Sequence, residues 1–137
     1  MNEKMILNKK TSSVLLITED IAVQKLIAAF LSDAEIGFNT ASTITQASKL
    51  LKDNKIELIL FDIKTDSLKD YNALKKLTEN PDFKMPVVVL ANELPQEEVK
   101  KYFNLGINGC LSKPVSKMDL AGIMTQFLPD FIRLHSS

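Results

Sequence analysis

Ile56-Glu57-Leu58-Ile59-Leu60-Phe61-Asp62-Ile63-Lys64 is the stretch on which the fold turns. Leu58 to Phe61 is an unbroken apolar run, the pattern of a strand buried on both faces of a parallel sheet. It ends on an acid, Asp62. In an open α/β sheet the ligand crevice lies outside the carboxyl ends of the strands, so this strand is expected to deliver a carboxylate to the reactive edge. Two more buried runs end on charge at that edge. Val14-Leu15-Leu16-Ile17 leads to Glu19 and Asp20, and Cys110-Leu111 leads to Lys113.

Outward from this strand, short apolar runs alternate with helical patterns. After Glu19-Asp20, the residues Val23, Leu26, Ile27, Phe30 and Leu31 mark one stripe of an amphipathic helix, with Gly37 as its expected stop and Phe38 to Ala41 as a second strand. Thr43-Ile44-Thr45-Gln46 has the form of a capping box and opens a helix bearing Ala47, Leu50 and Leu51. Beyond the central strand, Thr65 to Lys69 reads as loop, and a third helix is expected from about Tyr71 to the Asn80-Pro81 break. Pro86 introduces the strand Val87-Val88-Val89-Leu90. Pro95 suits the first turn of a fourth helix, whose buried stripe is read as Val99 and Phe103 and whose C-terminal cap is Gly106. Gly109 to Ser112 is the last strand. Ser116 with Asp119 caps the final helix, with its stripe at Leu120, Ile123, Met124, Phe127 and Leu128. Strand followed by helix, repeated five times, predicts a parallel sheet covered on both faces.

The 137 residues suit one domain. With 17 Lys plus Arg against 17 Asp plus Glu, no basic excess points to nucleic acid and no acidic excess to disorder. The lone Cys110 cannot form an internal disulfide, which fits a reducing compartment. No apolar run reaches the length of a membrane span, and Met5 to Leu7 is too short for a signal peptide, so the expected location is cytoplasmic. Residues 1–12 are expected to be a flexible leader, 13–130 the domain and 131–137 a tail, with too little chain after Leu128 for a DNA-binding module. His135 is taken as a surface residue.

Adjacent carboxylates such as Glu19 and Asp20 repel each other unless a cation compensates them. With Asp62 they offer oxygen ligands to a hard divalent ion such as Mg²⁺. The plainer reading is that the pair caps the first helix. Lys113, directed by Pro114, suits a point-charge phosphate binder.

These residues are similar to the signature of a response-regulator receiver domain, the CheY-like module of two-component signalling. The resemblance covers about Val14 to Leu128 and rests on Glu19-Asp20, on Asp62 and on Gly106-Ile107-Asn108-Gly109-Cys110-Leu111-Ser112-Lys113-Pro114. It implies a doubly wound, five-stranded parallel sheet with helices on both faces, of CheY-like or flavodoxin-like type. It further implies a phosphoacceptor at Asp62, Mg²⁺ or Mn²⁺ held by Glu19, Asp20 and Asp62, and a phosphoryl contact from Lys113. The donor would be a sensor histidine kinase or phosphotransfer protein, and the output would be binding of another protein. The domain would assist only its own phosphorylation and dephosphorylation, and would not be an enzyme acting on a separate metabolite.

The chain departs from that pattern after Asp62, where the family often shows Met-Pro and then a Gly and this sequence has Ile63-Lys64-Thr65-Asp66-Ser67-Leu68-Lys69, and at two further positions. The residue at the end of the fourth strand, commonly Ser or Thr in the family, is Ala91. The residue three before the lysine, commonly aromatic, is Cys110. These degenerate switch positions support a second reading, a pseudo-receiver that binds partners without being phosphorylated. A flavodoxin-like ligand binder or small hydrolase is weaker, because no glycine-rich phosphate loop follows the first strand and no Ser-His-Asp set is evident. Lys64 and Glu93, each two residues past a strand end, are expected to face each other as an ion pair across the site mouth.

Overall fold

The structure, a computed structural model, describes residues 13–64, 67–81, 83–93, 95–128 and 131. Residues 1–12, Pro129 and His135 lie outside them. Five strands, β1 (Val14–Ile17), β2 (Phe38–Ala41), β3 (Leu58–Asp62), β4 (Val87–Ala91) and β5 (Gly109–Ser112), alternate with α1 (Ile21–Asp33), α2 (Ile44–Asp53), α3 (Leu68–Glu79), α4 (Gln96–Asn104) and α5 (Lys117–Phe127). All strand pairings are parallel, in the order β2-β1-β3-β4-β5. The fold is therefore the doubly wound sheet expected from the alternation.

Period-two alternation along each strand divides the core between the two sheet faces. Leu15, Ile17, Ile59, Phe61 and Val89 pack with Ala47 of α2, Leu74 and Leu77 of α3, and Tyr102 of α4. Val14, Leu16, Leu58, Leu60, Val88 and Leu90 pack with Ile27 and Leu31 of α1, and with Leu120, Ile123 and Met124 of α5. Because β1, β3 and β4 are covered on both sides, their sequences are continuously apolar, up to the Asp62 that ends β3.

Local hydrogen bonds set the helix termini. Thr43 Oγ1 accepts from the Gln46 N–H at 3.1 Å, and the Gln46 side chain reaches back to the Ser42 N–H at 2.8 Å. The capping box is thus made, with its return bond one residue earlier than the usual pattern. Helix α3 begins three residues before Tyr71, because Ser67 Oγ accepts from the Asp70 N–H at 3.1 Å and nucleates a turn there. Ser-x-x-Asp is itself a cap signal, obscured by the polar composition around it.

Gly37 is not the stop of α1. The helix ends at Asp33, and Glu35 takes the left-handed conformation, φ 59°. Gly37 instead serves the sheet, its carbonyl accepting from Ser13 and Val14 N–H. Two helix faces are also rotated from expectation. Leu26 is exposed, and in α4 the buried residue is Tyr102, 1% exposed, while Phe103 is 43% exposed. Tyr102 finds an aromatic neighbour across the layer, with its ring centroid 5.8 Å from that of Tyr71. That edge-tilted contact, together with apolar burial, fixes the face of α4. Gly106, at φ 104°, follows the last turn of α4 as expected.

Candidate functional site

Four strand ends frame the site. β3 carries Asp62 to the C-terminal edge, and β1 on one side carries Thr18, Glu19 and Asp20. On the other side β4 ends in Ala91, and beyond it β5 leads to Lys113. Lys113 directly follows β5, a strand that is not adjacent to β3. Its backbone N–H donates to the Ala91 carbonyl at 2.8 Å, which extends the β4–β5 ladder by one residue and fixes where the side chain starts. The Lys113–Pro114 peptide is cis.

From that anchor Lys113 Nζ reaches Asp62 Oδ1 at 2.5 Å, with the two side chains 13% and 8% exposed. A pair so shielded is screened little by solvent. The second Asp62 oxygen is also engaged, since Thr18 Oγ1 donates to Oδ2 at 2.7 Å. Thr18 was missed in the sequence, where it sits unremarked between an apolar strand and two acids. It is buried, 6% exposed. Its position just past a buried strand was the signal available.

Glu19 and Asp20 separate in role. Asp20 is the N-cap of α1, its Oδ1 accepting from Ala22 N–H at 2.8 Å and, more distantly, from Val23 N–H at 3.4 Å. The plainer reading of the acid pair therefore describes what Asp20 does here. Glu19 is exposed and pairs with Lys69 at 3.4 Å. Lys69 and Asp70 reach this edge because α3 starts early. Asp70 Oδ2 accepts from the Lys64 N–H at 2.7 Å and so holds the loop that follows Asp62. Lys64, Lys69, Asp70, Asn92 and Lys113 line the cleft with the three strand-end acids.

The donor set is oxygen throughout, which is the chemistry of a hard divalent ion. The carboxylate of Asp20 has a second oxygen beyond the one used by the cap, and each carboxylate oxygen has more than one lone pair. The residues thus fit such an ion chemically. They are not gathered around one in advance, for among the described residues no three His, Cys, Asp or Glu side chains form a group that could hold a metal.

Ala91 is 1% exposed and presents a methyl where a hydroxyl could have stood. Cys110 is half-buried, and burial pushes its thiol up. No helix among the described residues is long and apolar enough to cross a membrane.

A family model described as "Response regulator receiver domain" matches residues 14–125. A relative described as "Probable transcriptional regulator ycf29" from Cyanophora paradoxa is 30% identical over 116 residues, which cover 82% of this chain and 54% of the relative. The chain therefore spans about half the length of that protein. Among solved structures, chemotaxis protein CheY4 of Vibrio cholerae superposes with TM-score 0.75 at 20% identity, covering 86% of this chain and 99% of that one. The receiver domain of sensor histidine kinase PA1611 from Pseudomonas aeruginosa, described with a magnesium ion coordinated in its active-site cleft, superposes with TM-score 0.70 at 20% identity, covering 85% and 97%.

Proposed function

The chain belongs to the response regulator receiver domain family, and from that premise we propose that it is a phosphoacceptor whose acceptor is Asp62. The supporting observation is the shielded contact of Lys113 Nζ with Asp62 Oδ1 at 2.5 Å. It sets a nucleophile and the cation that would neutralise phosphoryl oxygens at one point of the sheet edge. The donor is a histidine-kinase or phosphotransfer phosphohistidine, and the result is read by a second protein. The module is taken as 13–130, in the cytoplasm.

Asp62 attacks phosphorus, and Lys113 shifts from the carboxylate to the incoming phosphoryl oxygens. Glu19, Asp20 and Asp62 are the residues that would hold Mg²⁺ or Mn²⁺. When bound, the ion adds positive charge against the same oxygens. Asp20 keeps the first turn of α1 in place, and Asp70 holds the Lys64 loop at the mouth. Ala91 and Cys110 bear on how the domain responds to phosphate, and leave the acceptor and its lysine intact. This favours the phosphoacceptor over the pseudo-receiver. The test is intact mass after incubation with acetyl phosphate and Mg²⁺: one phosphoryl group is expected on wild type and none on Asp62→Asn. Equal uptake by that variant would refute the assignment.

A further inference from the structure

Both oxygens of the Asp62 carboxylate are engaged, by donors of different mobility. Oδ1 meets the end of a long lysine side chain. Oδ2 meets a hydroxyl on a short, buried side chain. The Thr18 N–H donates to the Ala41 carbonyl at 2.9 Å, its Oγ1 accepts from the Asp20 N–H at 2.9 Å, and the residue is buried beneath the site. Its hydrogen-bonding capacity on the inner side is therefore used by the frame of the sheet, and the remaining hydroxyl proton is directed at Asp62.

Resting on the phosphoacceptor reading of Asp62, we propose that Thr18 is a positioning residue that holds Oδ2, leaves Oδ1 as the attacking oxygen and shortens the life of the phosphorylated state. The negative oxygens of an incoming phosphoryl group draw Lys113 away from Oδ1. Oδ1 forms the bond to phosphorus, and the donor's P–N bond breaks. Its electron pair stays on the imidazole nitrogen, which takes up a proton from solvent. Oδ2 becomes the carbonyl oxygen of the acyl phosphate and still faces the Thr18 hydroxyl.

That hydroxyl discriminates between the two states. A hydrogen bond to an ionised oxygen is about twice as strong as one to a neutral acceptor. Thr18 therefore favours the free carboxylate over the acyl phosphate. During hydrolysis the water oxygen bonds to phosphorus and its proton passes to solvent, the Oδ1–P bond breaks, its electron pair returns to the carboxylate, and inorganic phosphate leaves. The growing charge spreads onto Oδ2, where the donor is already in place and need not reorganise. Ala91 has no hydroxyl, so the hydroxyl at the acceptor comes from β1 instead of β4. Because Thr18 Oγ1 also accepts from the Asp20 N–H, a change at Asp62 is passed to the first turn of α1.

The measurement is the decay of phosphorylated protein by intact mass, after loading with acetyl phosphate and Mg²⁺ and removal of the donor. Thr18→Val keeps the shape and deletes the hydroxyl, and should lengthen the lifetime about tenfold, the scale of one hydrogen bond to a charged group. Thr18→Ser should restore a lifetime near wild type. Thr18→Ala makes the same deletion with a different shape, so the test stands if the valine variant does not fold. Wild-type lifetimes in the hydroxyl-free variants overturn the proposal, as does a serine variant as slow as valine. If wild type takes up no phosphoryl group, the reading of Asp62 falls and this proposal with it. If uptake is normal and lifetimes do not move, only the role of Thr18 falls.

Discussion

Lys113 Nζ contacts Asp62 Oδ1 across an intervening strand: β4 separates β3 from β5, and its last residue, Ala91, carries no polar side chain to compete for either partner. The pair is the most shielded ion pair shown among the described residues. Removing one partner leaves the other in a poorly solvated place. Lys113→Ala should lower unfolding stability by about 2 kcal/mol, in the range for hydrogen bonds to charged groups. A double-mutant cycle with Asp62→Asn, followed by urea unfolding, measures the coupling. An additive cycle would show the pair contributes nothing.

The exposed pair behaves differently. Lys69 and Glu19 are mostly solvated, and Lys69→Ala should change stability by no more than about 0.5 kcal/mol. Lys64, which lines the cleft, is proposed together with Glu93 to limit water's access to the phosphorylated site. Lys64→Ala should then speed decay of the phosphorylated form, and an unchanged decay rate would dispose of that gate.

Glu35 occupies a left-handed backbone conformation, φ 59°, that suits glycine better. Glu35→Gly should therefore raise the unfolding midpoint, with a gain of roughly 0.5–1 kcal/mol. A lower midpoint would show that the Glu35 side chain is needed there.

The register of α4 can be checked directly. Tyr102 is buried against Tyr71 and Phe103 is exposed. Tyr102→Ala should cost about 3–5 kcal/mol, and Phe103→Ala about 1 kcal/mol or less. Reversed magnitudes would mean that the stripe read from sequence, through Val99 and Phe103, is the true one.

Burial pushes the Cys110 thiol up from its ordinary value, which disfavours the reactive thiolate. Labelling by a thiol-disulfide reagent at pH 7 should be slow relative to an unfolded control, and should accelerate as pH rises. Equal rates for folded and unfolded protein would contradict this.

Phosphorylation should move the β1–α1 side more than the α4–β5 side. The hydroxyl that touches Asp62 is on Thr18, while Ala91 and Cys110 lack the groups that would carry the change the other way. Amide shifts on adding beryllofluoride with Mg²⁺ should concentrate at 18–23 and 62–64. Large shifts running through Val99 to Phe103 and Leu111 would refute this.

The alternation of buried strands and amphipathic helices made the fold legible, because Leu58 to Phe61 and Val87 to Leu90 have room for only one kind of element. Asp62, Asp20 and Lys113 were legible as strand-end charges. Thr18 was not, since a threonine at a strand end is unremarkable until its hydroxyl is seen to reach a residue 44 positions away. Helix faces were harder to read where two aromatic residues are adjacent, as at Tyr102 and Phe103. Local periodicity tolerates either, and the choice depends on Tyr71 in another helix. The early start of α3 was hidden because Ser67 and Asp70 look like loop until they cap.

Borohydride reduction tests the central claim most directly, because it converts an aspartyl phosphate to homoserine at the residue that carried it. Protein treated with acetyl phosphate and Mg²⁺, reduced and mapped by peptide mass, should show that conversion at position 62 alone. Conversion at position 20 with residue 62 unchanged, or no conversion in protein that has gained a phosphoryl group, would contradict the account.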